Sequence, residues 1–305
     1  MSEWEKELAF RHAPVVLQKA NKDYTRADFI TNVDFAYSWP EIHKNWKAVW
    51  EEEGGVYKYP LKAHGYYSVV ETHTHYFIVF AFYHPQDWAA IWGNPAKSSP
   101  SKPDQHLHDM GGCLAAVPKR KNKDDEYSEA LITISHFHFY SYAGWQDNQG
   151  NEIKRDFKII GWTENIDGPL QITKRFSGEN EEPDYRFKLY VESGGHGIKG
   201  FKKGRGDEDS IIRYRPSLTT AQEPDSDDFQ KEDEGEKVYF QTVSYKLEPI
   251  IQENGLWAQR EKSEVIQPND KGRDSFVKKQ GSKFVPGSAN PPWGWDDRDD
   301  RHKAG

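Results

Sequence analysis

Residues 106–112 read HLHDMGG, which sets His106, His108 and Asp109 within four positions. Imidazole and carboxylate are the donors that hold Zn, Mn, Fe or harder ions, and the pair that moves protons near neutral pH. His106 and Asp109 are three apart, so a loop running into a strand could direct both at one cation. The same residues suit a His–Asp proton-transfer pair, or an Asp-capped turn with bystander histidines. Spacing leaves all three open. YHPQDW (83–88) repeats the separation in His84 and Asp87, and YVESGGHG (190–197) brings Glu192, two glycines and His196 to the end of an apolar run. Alternate residues of a strand share a face, so His73 with His75, and His136 with His138 and Tyr140, each read as a row. Three separate strand ends with a His and a carboxylate point to one rim where reactive groups collect. His106, Asp109, His84, Asp87 and His196 are the residues that such a rim could offer to a divalent metal ion, with the acid–base and turn readings still open. His108, His136, His138 and Tyr140 are the candidates for acid–base work. Trp88, Trp92, Trp145 and Glu192 are the candidates for contact with a polar substrate.

Other chemistries are poorly served. There is no GxSxG elbow, and GFKKGRG (200–206) lacks the spacing and the Ser/Thr of a phosphate loop. Cys113 follows two glycines inside an apolar run and reads as a buried small hydrophobe.

The elements that must position these residues are mostly strands. APVVLQ (13–18) reads as a buried strand after a short N-terminal helix. YYSVVETHTHYFIVFAFYH (66–84) alternates at first and is then apolar on both faces, as in a central strand, or two joined strands, covered on both sides. GGCLAAVPK (111–119), EALITISHFHFYSY (129–142), RDFKIIGW (155–162), YRFKLYVESGGHG (185–197), SIIRYRP (210–216) and KVYFQTVSYKLEPI (237–250) continue the set, separated by loops rich in Gly, Asp, Asn and Pro. Residues 39–55 space Trp39, Ile42, Trp46, Val49 and Trp50 as a helix would, with Gly54 and Gly55 as its stop. This pattern predicts a mainly β protein, an antiparallel β-sandwich with long rim loops and a few short helices. One domain is expected over 1–277, with 219–237 as an exposed acidic insertion and 278–305 as a tail carrying Trp293 and Trp295.

The bulk numbers bound the partners. A net charge of −8 over 305 residues argues against a nucleic-acid binder. One cysteine rules out an intrachain disulfide and suits a reducing compartment. The charged start MSEWEKELAF shows no secretory signal, and no run approaches the roughly 18 apolar residues of a membrane span. A cytoplasmic protein is expected, or a secreted one if a leader was trimmed. An aromatic content of 14% favours β surfaces and ring-binding clefts.

HLHDMGGCLAAV (106–117) resembles the GHRHDWE segment of the necrosis-inducing (necrosis- and ethylene-inducing-like) proteins and the H-x-x-DWE segment of the vacuolar protein sorting 62 family. APVVLQKANKDYTRADFITNVDF (13–35) is similar to the opening of the latter, as PPWGWDD (291–297) is to its close. LYVESGGHG (189–197) resembles a late Gly-His strand end in both. The resemblance implies a lectin-like β-sandwich with a divalent ion at its rim. It assigns His106 and Asp109 to that ion, with an upstream carboxylate from Asp104 or Asp87. The position of the family's Glu is Gly111 here, which leaves the ion weakly held, supported by His84, His196 or Glu192, or absent. Two functions follow as expectations. One is an enzyme using the metal or His/Asp site on a polar, sugar-like or oxygenated small substrate by hydrolysis, elimination or cyclisation. The other is a non-catalytic module that binds glycans or lipid head groups, as the necrosis-inducing proteins do.

Overall fold

A computed structural model describes residues 2–20, 26, 28–33, 60–85, 109–119, 128, 130–133, 186–200, 211–225, 241–259 and 292, and the backbone alone of the further helical and strand residues named below. The first half of the chain holds α1 (Glu3–His12), β1 (Val15–Lys19), a 3-10 turn (Thr25–Asp28), β2 (Glu52–Glu53), β3 (Val56–Tyr57), β4 (His64–Glu71), β5 (His75–Asp87), β6 (His106–Pro118), β7 (Ala130–Ser135), β8 (His138–Ala143), β9 (Trp145–Gln146) and β10 (Glu152–Lys154). The second half holds β11 (Asn165–Ile166), β12 (Leu170–Thr173), β13 (Arg186–Val191), β14 (Ile198–Gly200), β15 (Ile211–Ser217), β16 (Glu232–Asp233), β17 (Glu236–Pro249), β18 (Gln267–Pro268) and β19 (Asp274–Ser275).

Helix α1 starts where Glu5 reaches back to accept hydrogen bonds from the Ser2 N–H (2.7 Å) and Oγ (2.8 Å). It stops at Ala13 because Pro14 disfavours helical backbone in the residue before it. It buries Leu8, Ala9 and His12.

The main sheet runs β10-β9-β12-β13-β1-β15-β17-β4-β5-β6-β7-β8-β11, with β14 beside β13 and β16 beside β17. From β4 to β8 every pair is antiparallel. On the other side, β1 with β13, β15 with β17, and β17 with β4 are parallel, so the sheet is mixed. Its two ends fold over each other. β14 lies against β6, β7 and β8, and Phe80 of β5 meets Phe187 of β13 edge-on with ring centroids 6.5 Å apart. Between these layers sits the main core, built from Val16, Ile78, Phe80, Phe82, Cys113, Ala115, Leu131, Leu189, Ile198, Ile212 and Tyr245 among others. A second cluster of Val33, Tyr66, Ala81, Tyr83, Met110, Ile250 and Leu256 covers the opposite face of β4–β6. The apolar stretch in β5 is therefore covered on both sides, as its pattern predicts.

The 66–84 stretch takes the second of its two expected forms, two joined strands, whereas the 129–142 stretch, expected as one strand, is a hairpin. The 66–84 stretch reverses at Thr72–Thr74, where Thr72 N–H and Oγ1 both donate to the His75 carbonyl (2.9 Å each). His73 is exposed in that reversal and shares no row with His75. The 129–142 stretch splits into β7 and β8, paired Ser135 to His138; His138 and Tyr140 both belong to β8, and His136 lies outside the described residues. Part of the acidic 219–237 segment is bonded to the rest of the fold, with Thr219, Thr220, Gln222 and Asp225 exposed. Ala63 N–H donates to the Gln222 carbonyl (2.8 Å), Gln222 N–H to the Ser244 carbonyl (2.9 Å), and Arg26 pairs with Glu223. The expected helix over 39–55, the strand over 155–162 and the tail tryptophans lie outside the described residues, apart from the short strands β2 and β3.

Candidate functional site

Strand pairing carries the site. The β5–β6 register sets Tyr76, Ile78, Phe80, Phe82 and His84 opposite Val117, Ala115, Cys113, Gly111 and Asp109. The first four pairs are apolar. The fifth is His84 with Asp109, and both are buried. Asp28 arrives at the same place because residues 29–33 dock beside β5. Thr31 bridges Tyr83 with a 2.9 Å N–H to carbonyl bond, and Val33 N–H donates to the Tyr66 hydroxyl (2.7 Å). His196 comes from the turn between β13 and β14. Gly194 takes φ 86° there, the left-handed region natural to glycine, and His196 itself takes φ 50°. A non-glycine residue in that region costs about 1–3 kcal/mol and persists only when its surroundings fix it.

Those surroundings are two carboxylates. His196 Nδ1–H donates to Asp109 Oδ2 (2.9 Å) and Nε2–H donates to Asp28 Oδ1 (3.1 Å). Asp28 also accepts from the Gly194 N–H and the Ser193 Oγ, both at 2.8 Å. With both nitrogens donating, the ring is an imidazolium. Burial works against that charge, but hydrogen bonds to Asp109 and Asp28 and their charges outweigh it and push the His196 pKa up to about 10. The His84 ring stacks on it, centroids 3.9 Å apart and 3° from parallel. Burial, then the nearby His196 charge, hold His84 well below the usual histidine range, against an opposing pull from Asp109. A neutral imidazole thus lies flat on a charged one.

The His84 tautomer follows from Gln18. The Gln18 amide nitrogen donates to the carbonyls of Lys19 (2.9 Å) and Glu192 (3.3 Å). Its Oε1 therefore faces His84 Nε2 (3.0 Å) and must accept a proton from it. His84 Nδ1 is left as a bare lone pair, buried and without a hydrogen-bond partner. Side chains of His196 and Asp28 are 0% exposed, whereas that of Asp109 is 12% exposed, so Asp109 is the outlet of the cluster.

One donor atom each from His84, Asp109 and His196 lie within 4.8 Å of one another, so the group could hold a metal ion. His84 fits that role, since a buried lone pair asks for a donor or a cation. His196 fits it less well. Both its nitrogens are committed, and lone pairs lie in the ring plane, so one ion reaches two face-to-face imidazoles only if a ring turns out of the stack.

Of the residues expected from sequence, His84, Asp109 and His196 come together. Glu192 does not join them through its carboxylate, which pairs with Lys199 Nζ at 2.5 Å and is 42% exposed. Register sets Asp87 opposite His106. The side chains of Asp87, His106, His108, His138, Tyr140 and Trp145, and all of Trp88, Trp92, Asp104 and His136, lie outside the described residues. Sequence reading missed Gln18 and Asp28. Gln18 had a signal, a polar residue two positions from Val16 on the inner face of an apolar strand. Asp28 had none in its own neighbourhood.

No family model matches the sequence, and no curated protein is similar to it. Solved structures are similar. Necrosis and Ethylene inducing Protein 2 from the causal agent of cocoa's Witches Broom disease shares 12% identity over 64% of this chain and 67% of its own, with a TM-score of 0.29. The non-toxic HaNLP3 protein shares 10% identity over 63% and 76%, with a TM-score of 0.28. NLPPya in complex with glucosamine shares 14% identity over 46% and 44%, with a TM-score of 0.24. These are the necrosis-inducing proteins that the 106–117 segment resembles. A likeness so distant carries no weight for activity or site.

Proposed function

We propose that this chain acts on a polar, oxygenated small substrate at the rim of its β-sandwich, through a divalent ion held at the His84–Asp109–His196 cluster. The supporting observation is the convergence of three distant segments on Asp109, with His84 Nδ1 left as an unpartnered buried lone pair beside it. A bound ion there would polarise a substrate oxygen or activate water, which suits hydrolysis, elimination or cyclisation. Asp109 would contact the ion, and His196 with Asp28 would hold that carboxylate ionised and oriented. His106 and Asp87 pair with each other three steps beyond His84 and Asp109, an odd number, so by strand alternation this reading leaves them out of the ion's ligands. Metal content of the purified chain, measured by plasma mass spectrometry beside Asp109→Asn, tests it. A stoichiometric divalent ion lost in the variant is expected. Its absence from the parent chain after loading with Zn²⁺, Mn²⁺ and Mg²⁺ would sink the ion reading.

A second reading, a non-catalytic carbohydrate-binding module, is favoured by one observation. Asp28 is engaged by His196, Gly194 and Ser193, His196 is engaged by Asp28 and Asp109, and Asp109 alone among the three has any side-chain exposure. That suits a single point of ligand contact more than proton shuttling. Calorimetric titration with glucosamine, comparing the parent chain and Asp109→Asn, separates the two. Saturable binding without any turnover favours the module.

A further inference from the structure

We propose that the ion of this site is a borderline transition-metal dication of the Zn²⁺, Co²⁺ or Fe²⁺ class rather than Mg²⁺ or Ca²⁺, and that Gln18 selects it by fixing the tautomer of His84. This rests on the ion reading above and goes further, to the kind of ion and the residues that choose it.

The core donors are His84 Nδ1 and an oxygen of Asp109, opposite each other in the β5–β6 register. Neither requires the imidazole stack to open. Each has a fixed partner behind it. Gln18 accepts the His84 Nε2–H at 3.0 Å, and its own amide hydrogens are held by two main-chain carbonyls. His196 donates to Asp109 Oδ2 at 2.9 Å and is itself held by Asp28 at 3.1 Å. A metal-binding histidine ordinarily gives its other N–H to such a partner, and a ligating carboxylate is ordinarily hydrogen-bonded in the same way. Hard ions take carboxylate, carbonyl and water oxygens, while imidazole suits Zn, Cu, Fe and Ni. The neutral Nδ1 of His84 is thus a preference as well as a ligand. In this arrangement His196 and Asp28 are positioning residues behind Asp109, and Gln18 is the positioning residue behind His84.

The test is calorimetric titration of the full chain with Zn²⁺, Co²⁺, Mg²⁺ and Ca²⁺, with the visible absorption of bound Co²⁺ as a second readout and thermal unfolding as a folding check. One equivalent of Zn²⁺ or Co²⁺ is expected to bind at least about 100-fold more tightly than Mg²⁺ or Ca²⁺. His84→Ala, and His84→Gln as a gentler replacement, should abolish the Co²⁺ absorption. Gln18→Leu should weaken Co²⁺ about 10–100-fold. Gln18→Glu, which still accepts the Nε2–H, should keep the binding. The inference fails, and the ion reading stands, if Mg²⁺ or Ca²⁺ binds as tightly as Zn²⁺ with dependence on Asp109. It fails in the same way if Co²⁺ binding survives folded His84 variants unchanged. Both fall if no divalent ion binds in a manner that Asp109→Asn removes.

Discussion

The inner face of the β5–β6 ladder has two ends that differ by one step. From Tyr76/Val117 to Phe82/Gly111 it is apolar and packs against β13 and β17. At His84/Asp109 it becomes a hydrogen-bonded charge network. Both ends are dry, and burial does not distinguish them. What differs is how the buried groups are compensated. At the apolar end, area removed from water and close contact stabilise, as where Phe82 meets Tyr245 edge-on at 5.6 Å. At the polar end, each buried charge needs a partner of opposite sign and a hydrogen bond for every donor. A third place completes the contrast. His12 is as buried as His196 but has Arg11 and Arg186 for neighbours instead of carboxylates. Burial first, then those two charges, lower its pKa to about 3, and its Nε2 has no partner. The same side chain at the same burial is charged in one place and neutral in the other.

The comparison predicts, first, that truncation at either end is costly for different reasons. Phe82→Ala should lose about 3–5 kcal/mol through a cavity. His196→Ala should lose about 3–5 kcal/mol by leaving Asp28 and Asp109 as uncompensated buried charges. Urea unfolding at several pH values separates them. His196 has its pKa raised in the folded state, so its contribution is complete below pH 6.5 and is lost as pH rises toward about 10. The pH 6.5–10 decline in stability should persist in Phe82→Ala and largely vanish in His196→Ala. If both variants keep the decline, the charge assignment of His196 is wrong.

A second prediction moves the boundary. Gly111→Glu puts a carboxylate one step into the apolar end, opposite Phe82, and should cost about 2–4 kcal/mol in metal-free buffer. Thermal unfolding with and without Zn²⁺ or Mg²⁺ reads the rest. Recovery with an ion would mean that the new carboxylate joins the site.

Asp28→Asn keeps the shape but removes the charge behind His196 Nε2 and weakens the bonds from Ser193 and Gly194. A loss of about 1.5–3 kcal/mol is expected by denaturant titration. A loss under about 0.5 kcal/mol would mean that Asp109 alone holds His196.

The smallest effect belongs to His12→Leu. At neutral pH the change should stay within about 1.5 kcal/mol, since an apolar side chain of similar size replaces a neutral ring. The acid limb is the sharper readout. His12 is depressed in the folded state, so stability falls as pH drops from 6.5 toward 3 while the unfolded chain takes up the proton. The variant should show a shallower fall. His84, also depressed, keeps part of the slope.

Much of this architecture was legible in the chain. Short runs of apolar and aromatic residues mark β1, β13, β15 and β17, and the doubly apolar run in β5 announced a strand covered on both faces. The reversals at Thr72–Thr74 and between Ser135 and His138 were not legible, because neither carries the Gly, Asn, Asp or Pro that usually marks a turn. The first closes on a threonine hydroxyl instead. His84, Asp109 and His196 were each readable as polar residues at strand ends. Their meeting was not, nor was the part played by Asp28, 168 positions from His196.

The sequence by itself determined the β class, the faces of the strands and the residue types able to do chemistry, because side-chain periodicity and donor chemistry are local properties. The tertiary structure decided which strands became neighbours, which residues stand opposite each other, and so which histidine is charged. Register and burial are set by pairings between distant segments, and protonation in a dry interior follows whichever charges those pairings bring within a few ångströms.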